Sequence, residues 1–256
     1  MNKINEKTVK SISDLINIVS NHISKTNTIL WFRGHFDSSW SLRPSIHRDY
    51  TNDSERNFVH RFRARAYSRV ENLPSYDERA KWLSLMQHYE LPTRLLDWTR
   101  SPLIALFFAL EKYVYEDFND GKEACIWILE PHKLNYLEGL GELTPSIESS
   151  TCIELINPAF DDKANECNKV MAVMASECDT RMFVQQGGFT IHARSEPLTD
   201  NSDSMEYLTK LIIPEDCVVK LAREIDYCGF RRGDLFPDLI NLSKELKGIY
   251  KPEKRK

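Results

Sequence analysis

The stretch Gln87 to Ala109, QHYELPTRLLDWTRSPLIALFFA, constrains this chain more than any other. Ahead of its loop, Trp82, Leu85, Met86 and Tyr89 fall at i, i+3, i+4 and i+7, the apolar stripe of an amphipathic helix packed on a core. Leu91-Pro92 stops that helix, because the residue before a proline is pushed out of helical geometry. Ser101-Pro102 opens a second one: serine caps it, and proline takes the first position, where a missing N–H costs nothing. Leu103 to Leu110 is expected to be buried helix. Between the two helices, Thr93, Arg94, Asp97, Trp98, Thr99 and Arg100 are expected to form a polar, turn-rich loop beside the positive end of the second helix dipole, a seat for an anionic group. Taken singly, these residues read as an Arg94–Asp97 ion pair, helix caps and a core tryptophan. Two arginines, an aspartate and two threonines at one helix start are more than a turn requires.

From its N-terminus, the chain opens with a helix candidate, Val9 to Ile23, in which Ile12, Leu15, Ile16, Val19 and Ile23 share a stripe. Thr28 to Phe32 is short, apolar and β-favouring, a strand that delivers Arg33 at or near its end. An arginine placed there either anchors a buried polar network or clamps a phosphate through its planar fork. Gly34 lets the backbone turn or a ligand come close. Glu55 to Val70 reads as a basic helix, with Arg56, Arg61, Arg63, Arg65 and Arg69 around Phe58, Phe62 and Ala66; it is either a solvated face or a nucleic-acid contact.

Beyond the central stretch, Asn119-Asp120-Gly121 marks a turn and Ala124 to Leu129 a buried strand. Residues 135–180 read as a polar surface excursion, with a short helix near Lys169 to Ser176, placed to act as a lid. Arg181 to Gln185 and Phe189 to His192 read as two strands meeting at Gln186-Gly187-Gly188. A strand from Tyr207 to Ile213 follows, then a helix from Pro214 to Tyr227 stopped at Gly229, and a last helix from Phe236-Pro237-Asp238 to Lys247. The expected division is an N-terminal helix, 1–27, packed on a domain of 28–247, with a disordered tail at 248–256. At least five strands without regular βα alternation predict an α+β fold, its sheet mixed or mainly antiparallel and flanked by helices.

The composition excludes several classes. A net charge of −4 argues against general nucleic-acid binding. With no apolar run of membrane length and no signal-peptide pattern at MNKINEKTVK, a cytoplasmic location without membrane contact is expected. The six cysteines, at 125, 152, 167, 178, 217 and 228, form no CxxC pair and no zinc spacing, so free thiols and no metal are expected. A Walker loop, GxGxxG and GxSxG are all absent, which sets aside P-loop, Rossmann and nucleophile-elbow chemistry.

WFRG at Trp31 to Gly34, LRPSI at Leu42 to Ile46 and the central stretch together resemble the FRG domain, a mostly bacterial family named for its Phe-Arg-Gly motif. RMFVQQGGFT at Arg181 to Thr190 and LFPDL at Leu235 to Leu239 extend the resemblance, which runs over residues 28 to 243. Glu90 departs from the pattern, standing at a turn position where the family usually has glycine. The resemblance implies a shared site, and for a bacterial protein a setting in phage defence or as a toxin. The order of strand-borne arginine, Thr/Ser segment and Ala/Phe-rich helix is also similar to that of NAD-using ADP-ribosyltransferases. By that likeness Arg33 would contact the dinucleotide and Thr93 or Thr99 would support the nicotinamide pocket. The catalytic Gln/Glu-x-Glu of those enzymes has no counterpart on the late strands.

The expectation is therefore a cleft that binds NAD or another phosphate-bearing nucleotide and acts as an ADP-ribosyltransferase or NAD glycohydrolase. Arg33, Gln87, His88, Thr93, Arg94, Asp97 and Gln185 are the candidate catalytic residues. Arg33, Gly34, Thr93, Arg94 and Thr99 are the candidate ligand contacts, with Arg33 and Arg94 on the anion and Asp97 orienting Arg94 or His88. The alternatives are a non-catalytic protein-interaction module using the 135–180 excursion, and RNA or DNA binding through helix 55–70.

Overall fold

In a computed structural model of the protein, the described residues are 4–115, 121–164, 167–176 and 180–250. They form an α+β fold around a mixed seven-stranded sheet of order β1-β7-β4-β2-β3-β6-β5. The strands are β1 Asn5–Thr8, β2 Trp31–His35, β3 Leu95–Thr99, β4 Ala124–Leu129, β5 Val170–Met174, β6 Gly187–His192 and β7 Leu208–Ile213. Only β1 and β7 pair in parallel; the other neighbours are antiparallel. The longer helices are α1 Ile12–Thr26, α2 Asn52–Ala66, α3 Arg79–His88, α4 Pro102–Tyr115, α5 Glu215–Tyr227 and α6 Leu239–Ile249.

Alternation along the strands sorts side chains into three cores. Strand β4 is apolar on both sides, as a central strand must be. Its Ala124, Ile126 and Ile128 pack with Phe32, α4, α1 and α5. Cys125, Trp127 and Leu129 point the other way, with Trp31, Leu96, Trp98 and Leu42. On the α4 side, a second cluster lies over β3, β6 and β5, where Leu95, Phe189, Ile191, Met171 and Val173 meet Val59, Trp82, Met86, Leu155 and Ile156. Helix α4 presses so closely on β2 that a Cβ at Gly34 would lie 2.0 Å from the Ala105 carbonyl oxygen and 2.6 Å from Ala109 N.

Several expectations need correction. The polar loop after α3 is strand β3: Leu96 and Trp98 enter one core and Leu95 the other, while Asp97 and Thr99 give its remaining positions a loop-like polarity. Arg33 sits mid-strand, and β2 begins later than expected, at Trp31. Arg181 to Gln185 is not a strand: Thr180–Val184 is helical, and Gln186 turns into β6 with φ of 49°. Lys169 to Ser176 holds strand β5 instead of a helix, because both of its faces are covered by core. The 135–180 segment also contributes to the packed body, since Cys152, Leu155, Ile156 and Phe160 are buried, while Tyr136, Leu143 and Ile153 face outward. Residues 5–8 add strand β1, and α1 starts at Ile12 behind a Ser11 cap that accepts from Asp14 N–H at 3.1 Å. Tyr89 is exposed, and Leu83 takes a buried place on α3 in its stead. Of the expected disordered tail, Gly248 and Ile249 are instead the end of helix α6, and residues 251–256 lie outside the described residues, as do Asn119, Asp120 and Cys178.

Candidate functional site

The middle of the sheet is where its pairing is thinnest. β2 and β3 are joined through the single register pair Phe32–Thr99, whereas β2 and β4 share five. Arg33 points toward the Trp98 face and its guanidinium turns into the opening, donating from Nη1 to the Asp97 carbonyl oxygen at 2.6 Å and from Nε to His35 Nε2 at 3.1 Å. A side chain thus takes the place of a missing ladder bond. The Asp97 carboxylate on the opposite face comes within 3.9 Å of Arg33 Nη1, and its side chain is half exposed. Burial lowers the Arg33 pKa, opposed by the nearby Asp97 charge. Burial and the Arg33 cation also hold His35 down at about 3, so it is neutral and accepts from Arg33.

On the α4 side this opening forms a cleft of about 250 Å³ lined by Phe32, Arg33, Asp97, Phe108, Arg181 and Gln185, among others. Asp97 is the one acid among these described lining residues. Gln87 from the end of α3 donates to the Asp97 carboxylate at 2.7 Å and accepts from the Thr93 hydroxyl at 2.6 Å, a relay that fixes the carboxylate's orientation. Across the cleft, the Thr99 hydroxyl donates to the Gln185 carbonyl oxygen at 2.7 Å, and Gln185 Nε2 donates to Leu235 O at 2.8 Å. Arg181 closes the rim, stacked 4.6 Å over the Phe236 ring and donating to His88 O at 3.2 Å.

Arg33, Asp97, Thr99, Gln185 and, by hydrogen bond, Gln87 are therefore brought together. The other candidates are placed elsewhere. Arg94 is fully buried in a fork with Glu55 of α2, its Nη2 donating to Glu55 Oε2 at 2.6 Å and its Nη1 to Leu155 O at 2.9 Å. It faces neither the cleft nor Asp97, which corrects the expected Arg94–Asp97 pairing. Thr93 is buried behind Gln87 and caps Leu95 N–H at 3.1 Å. His88 lines a neighbouring groove with Leu73, Lys81 and Met182 and packs edge-on against Tyr89, so Asp97 does not orient it. Gly34 serves the close approach of α4.

Helix α2 uses much of its charge internally. Arg63 is buried, donates to Tyr76 O and lies 3.8 Å over the Tyr76 ring, and Arg56 pairs with Asp53. Burial pushes the Cys125 thiol up to about 12, which keeps it protonated. Among the described residues, no cluster of three or more His, Cys, Asp or Glu is placed to hold a metal ion. No helix there is long and apolar enough to cross a membrane.

Arg181 and Phe108 are the site residues that the sequence did not single out. Arg181 opens the stretch RMFVQQGGFT, but as a supposed strand residue it had no direction. Only the helical turn Thr180–Val184 carries it back over the cleft.

Residues 28–117 match the family model for the FRG domain, so the chain carries an FRG domain there. That span includes β2, α2, α3, β3 and α4, hence Arg33, Gln87, Asp97 and Phe108; Arg181 and Gln185 lie beyond it. No curated protein and no solved structure matches the chain.

Proposed function

We propose that this FRG-domain protein binds a phosphate-bearing nucleotide of the NAD type at the opening between β2 and β3 and cleaves its N-glycosidic bond. The observation that carries this reading is the Arg33–Asp97 pair, a guanidinium and a half-exposed carboxylate 3.9 Å apart in a cleft with phenylalanine walls. Arg33 and Arg181 supply charge for a phosphate, and Phe32 and Phe108 supply apolar surface for a planar ring. The cleft is smaller than most small-molecule pockets, so it suits one end of a dinucleotide, with the remainder lying outside.

In such a reaction the bond between ribose C1′ and the nicotinamide nitrogen breaks, and its electron pair neutralises the ring. Positive charge develops on the ribose carbon, where the Asp97 carboxylate would stabilise it. A water oxygen then bonds to C1′ and passes its proton to Asp97 or to solvent. Gln87 holds the Asp97 carboxylate in place by donating to it. Arg33 takes over the anion contact expected of Arg94. The setting, bacterial defence or a toxin, follows from the family resemblance.

The test is incubation with NAD, following free nicotinamide by mass spectrometry. Release by the wild type, reduced at least a hundredfold in Asp97→Asn, is expected. Equal release by both proteins, or none by the wild type, would rule out this chemistry.

A further inference from the structure

Helix α2 carries arginines that the Asp97 cleft does not use. Arg56 and Arg63 are engaged internally, but Arg61, Arg65 and Arg69 are exposed, and among the described residues none of these three is in an ion pair with an acid. Arg61 and Arg65 stand one helical turn apart, about 6 Å along the axis. The chain keeps turning past Ala66, whose carbonyl oxygen accepts from the N–H groups of Arg69 and Val70, and this adds Arg69 to the row. The negative end of the helix dipole lies here as well. Arg69 offsets it by donating from Nη1 to the Arg65 carbonyl oxygen at 2.7 Å.

All three line one cavity of about 470 Å³, together with Phe58 and Phe62 of α2 and with Tyr89 and Leu91 at and beyond the end of α3. That is nearly twice the volume of the Asp97 cleft and within the range of ligand sites. No acid is among its described lining residues. The aromatic groups form a line of their own: the Phe62 and Tyr89 ring centroids are 6.3 Å apart, and Tyr50 continues the line by meeting Phe58 edge-on at 5.2 Å. Tyr50 and Tyr89 are each about half exposed.

Two features select the ligand. Cations set one turn apart along an edge suit charges repeated along a chain, whereas a single phosphate would need them to converge on one point. Exposed aromatic rings beside them suit flat groups that stack. An acidic peptide would meet the arginines and leave the rings uncovered, and a duplex keeps its bases stacked on one another. We propose that this groove binds single-stranded nucleic acid, with phosphates along Arg61, Arg65 and Arg69 and bases against Phe58, Phe62 and Tyr89. Apart from the arginines and Tyr89, the described lining side chains are apolar, so neither base edges nor the 2′-hydroxyl are read and RNA and DNA strands bind alike. The net charge of −4 confines binding to this local patch. The groove is separate from the Asp97 cleft, and its role does not depend on NAD cleavage.

The probes are fluorescein-labelled oligo(dT) and oligo(U) of about ten nucleotides, followed by anisotropy at low ionic strength, with polyglutamate and a DNA duplex as competitors. Saturable binding of both strands by the wild type is expected, with log affinity falling on log salt at a slope near −2, because about three phosphates contribute ~0.7 each. Arg65→Gln should bind at least fivefold more weakly and with a shallower slope. Tyr89→Ala should lose at least fivefold with the slope kept, while Tyr89→Phe binds as the wild type does. Arg65, Tyr89 and the control Arg223 are all exposed, so the variants keep the fold, and Arg223 is on α5, whose buried residues belong to a different core. Absence of saturable binding by the wild type, or unchanged binding by Tyr89→Ala, would overturn the site. Equal competition by polyglutamate or duplex, or equal weakening in Arg223→Gln, would also overturn it, by reducing the effect to charge alone.

Discussion

Arg33 does two things at once, and substitutions separate them. Its bond to the Asp97 carbonyl oxygen closes the sheet where β2 and β3 scarcely pair, while the same guanidinium faces the cleft. Arg33→Ala is therefore expected to cost stability as well as binding, about 1–3 kcal/mol for the buried polar groups left unmet. Asp97 is half exposed, and Asp97→Asn keeps its shape and its acceptor for Gln87, so its stability should stay within about 0.5 kcal/mol of the wild type in urea unfolding. A loss of several kcal/mol would show that Asp97 is a structural ion-pair partner. Glu90 offers a converse case. Its φ of 61° is left-handed, a conformation that favours glycine, so Glu90→Gly should raise stability by about 1 kcal/mol, and a clear loss would mean that the glutamate side chain matters there.

At the scale of elements, the Arg94–Glu55 fork ties β3 to α2 and, through Leu155, to the segment beyond β4. Removing one partner leaves a buried charge, so Glu55→Ala should lose about 3–5 kcal/mol in denaturant unfolding; a loss below 1 kcal/mol would mean that the fork carries no structural weight. This is also where the sequence was least legible. Strand β4 was read correctly from ACIWIL, since a run buried on both faces is apolar throughout, and the start of α4 was plain in Ser101-Pro102. Strand β3 was not, because a five-residue strand with Asp97 and Thr99 facing a cleft loses its alternation on that side. Arg94 was misplaced for the same reason. A chemically rich residue beside Asp97 in sequence points away from it once the stretch is extended, and the Glu55 that satisfies it is 39 residues distant. The nearness of Arg33 and Asp97, 64 residues apart, had no local signal either.

For the whole molecule, buried neutral histidines make stability depend on pH. His35 and His192 have folded pKa values below their unfolded ones, His35 at about 3. Between pH ~6.5 and that value the unfolded chain binds protons that the folded chain refuses, so stability falls as pH falls, by up to about 1.4 kcal/mol per pH unit for each such group. His192→Gln should flatten the slope between pH 7 and 5 by about one proton, and an unchanged slope would place the proton uptake elsewhere. The FRG domain at 28–117 supplies the two strands that flank the opening, and the later chain supplies Arg181 and Gln185, so the cleft is complete only in the full chain. The measurement that bears most directly on this cleft is equilibrium binding of NAD by calorimetry to the wild type, Asp97→Asn and Arg33→Gln. Saturable binding by the wild type and Asp97→Asn, weakened at least tenfold in Arg33→Gln while that variant stays folded, is the expected result. No binding by the wild type at millimolar NAD, or equal binding by all three, would contradict a nucleotide site at the opening between β2 and β3.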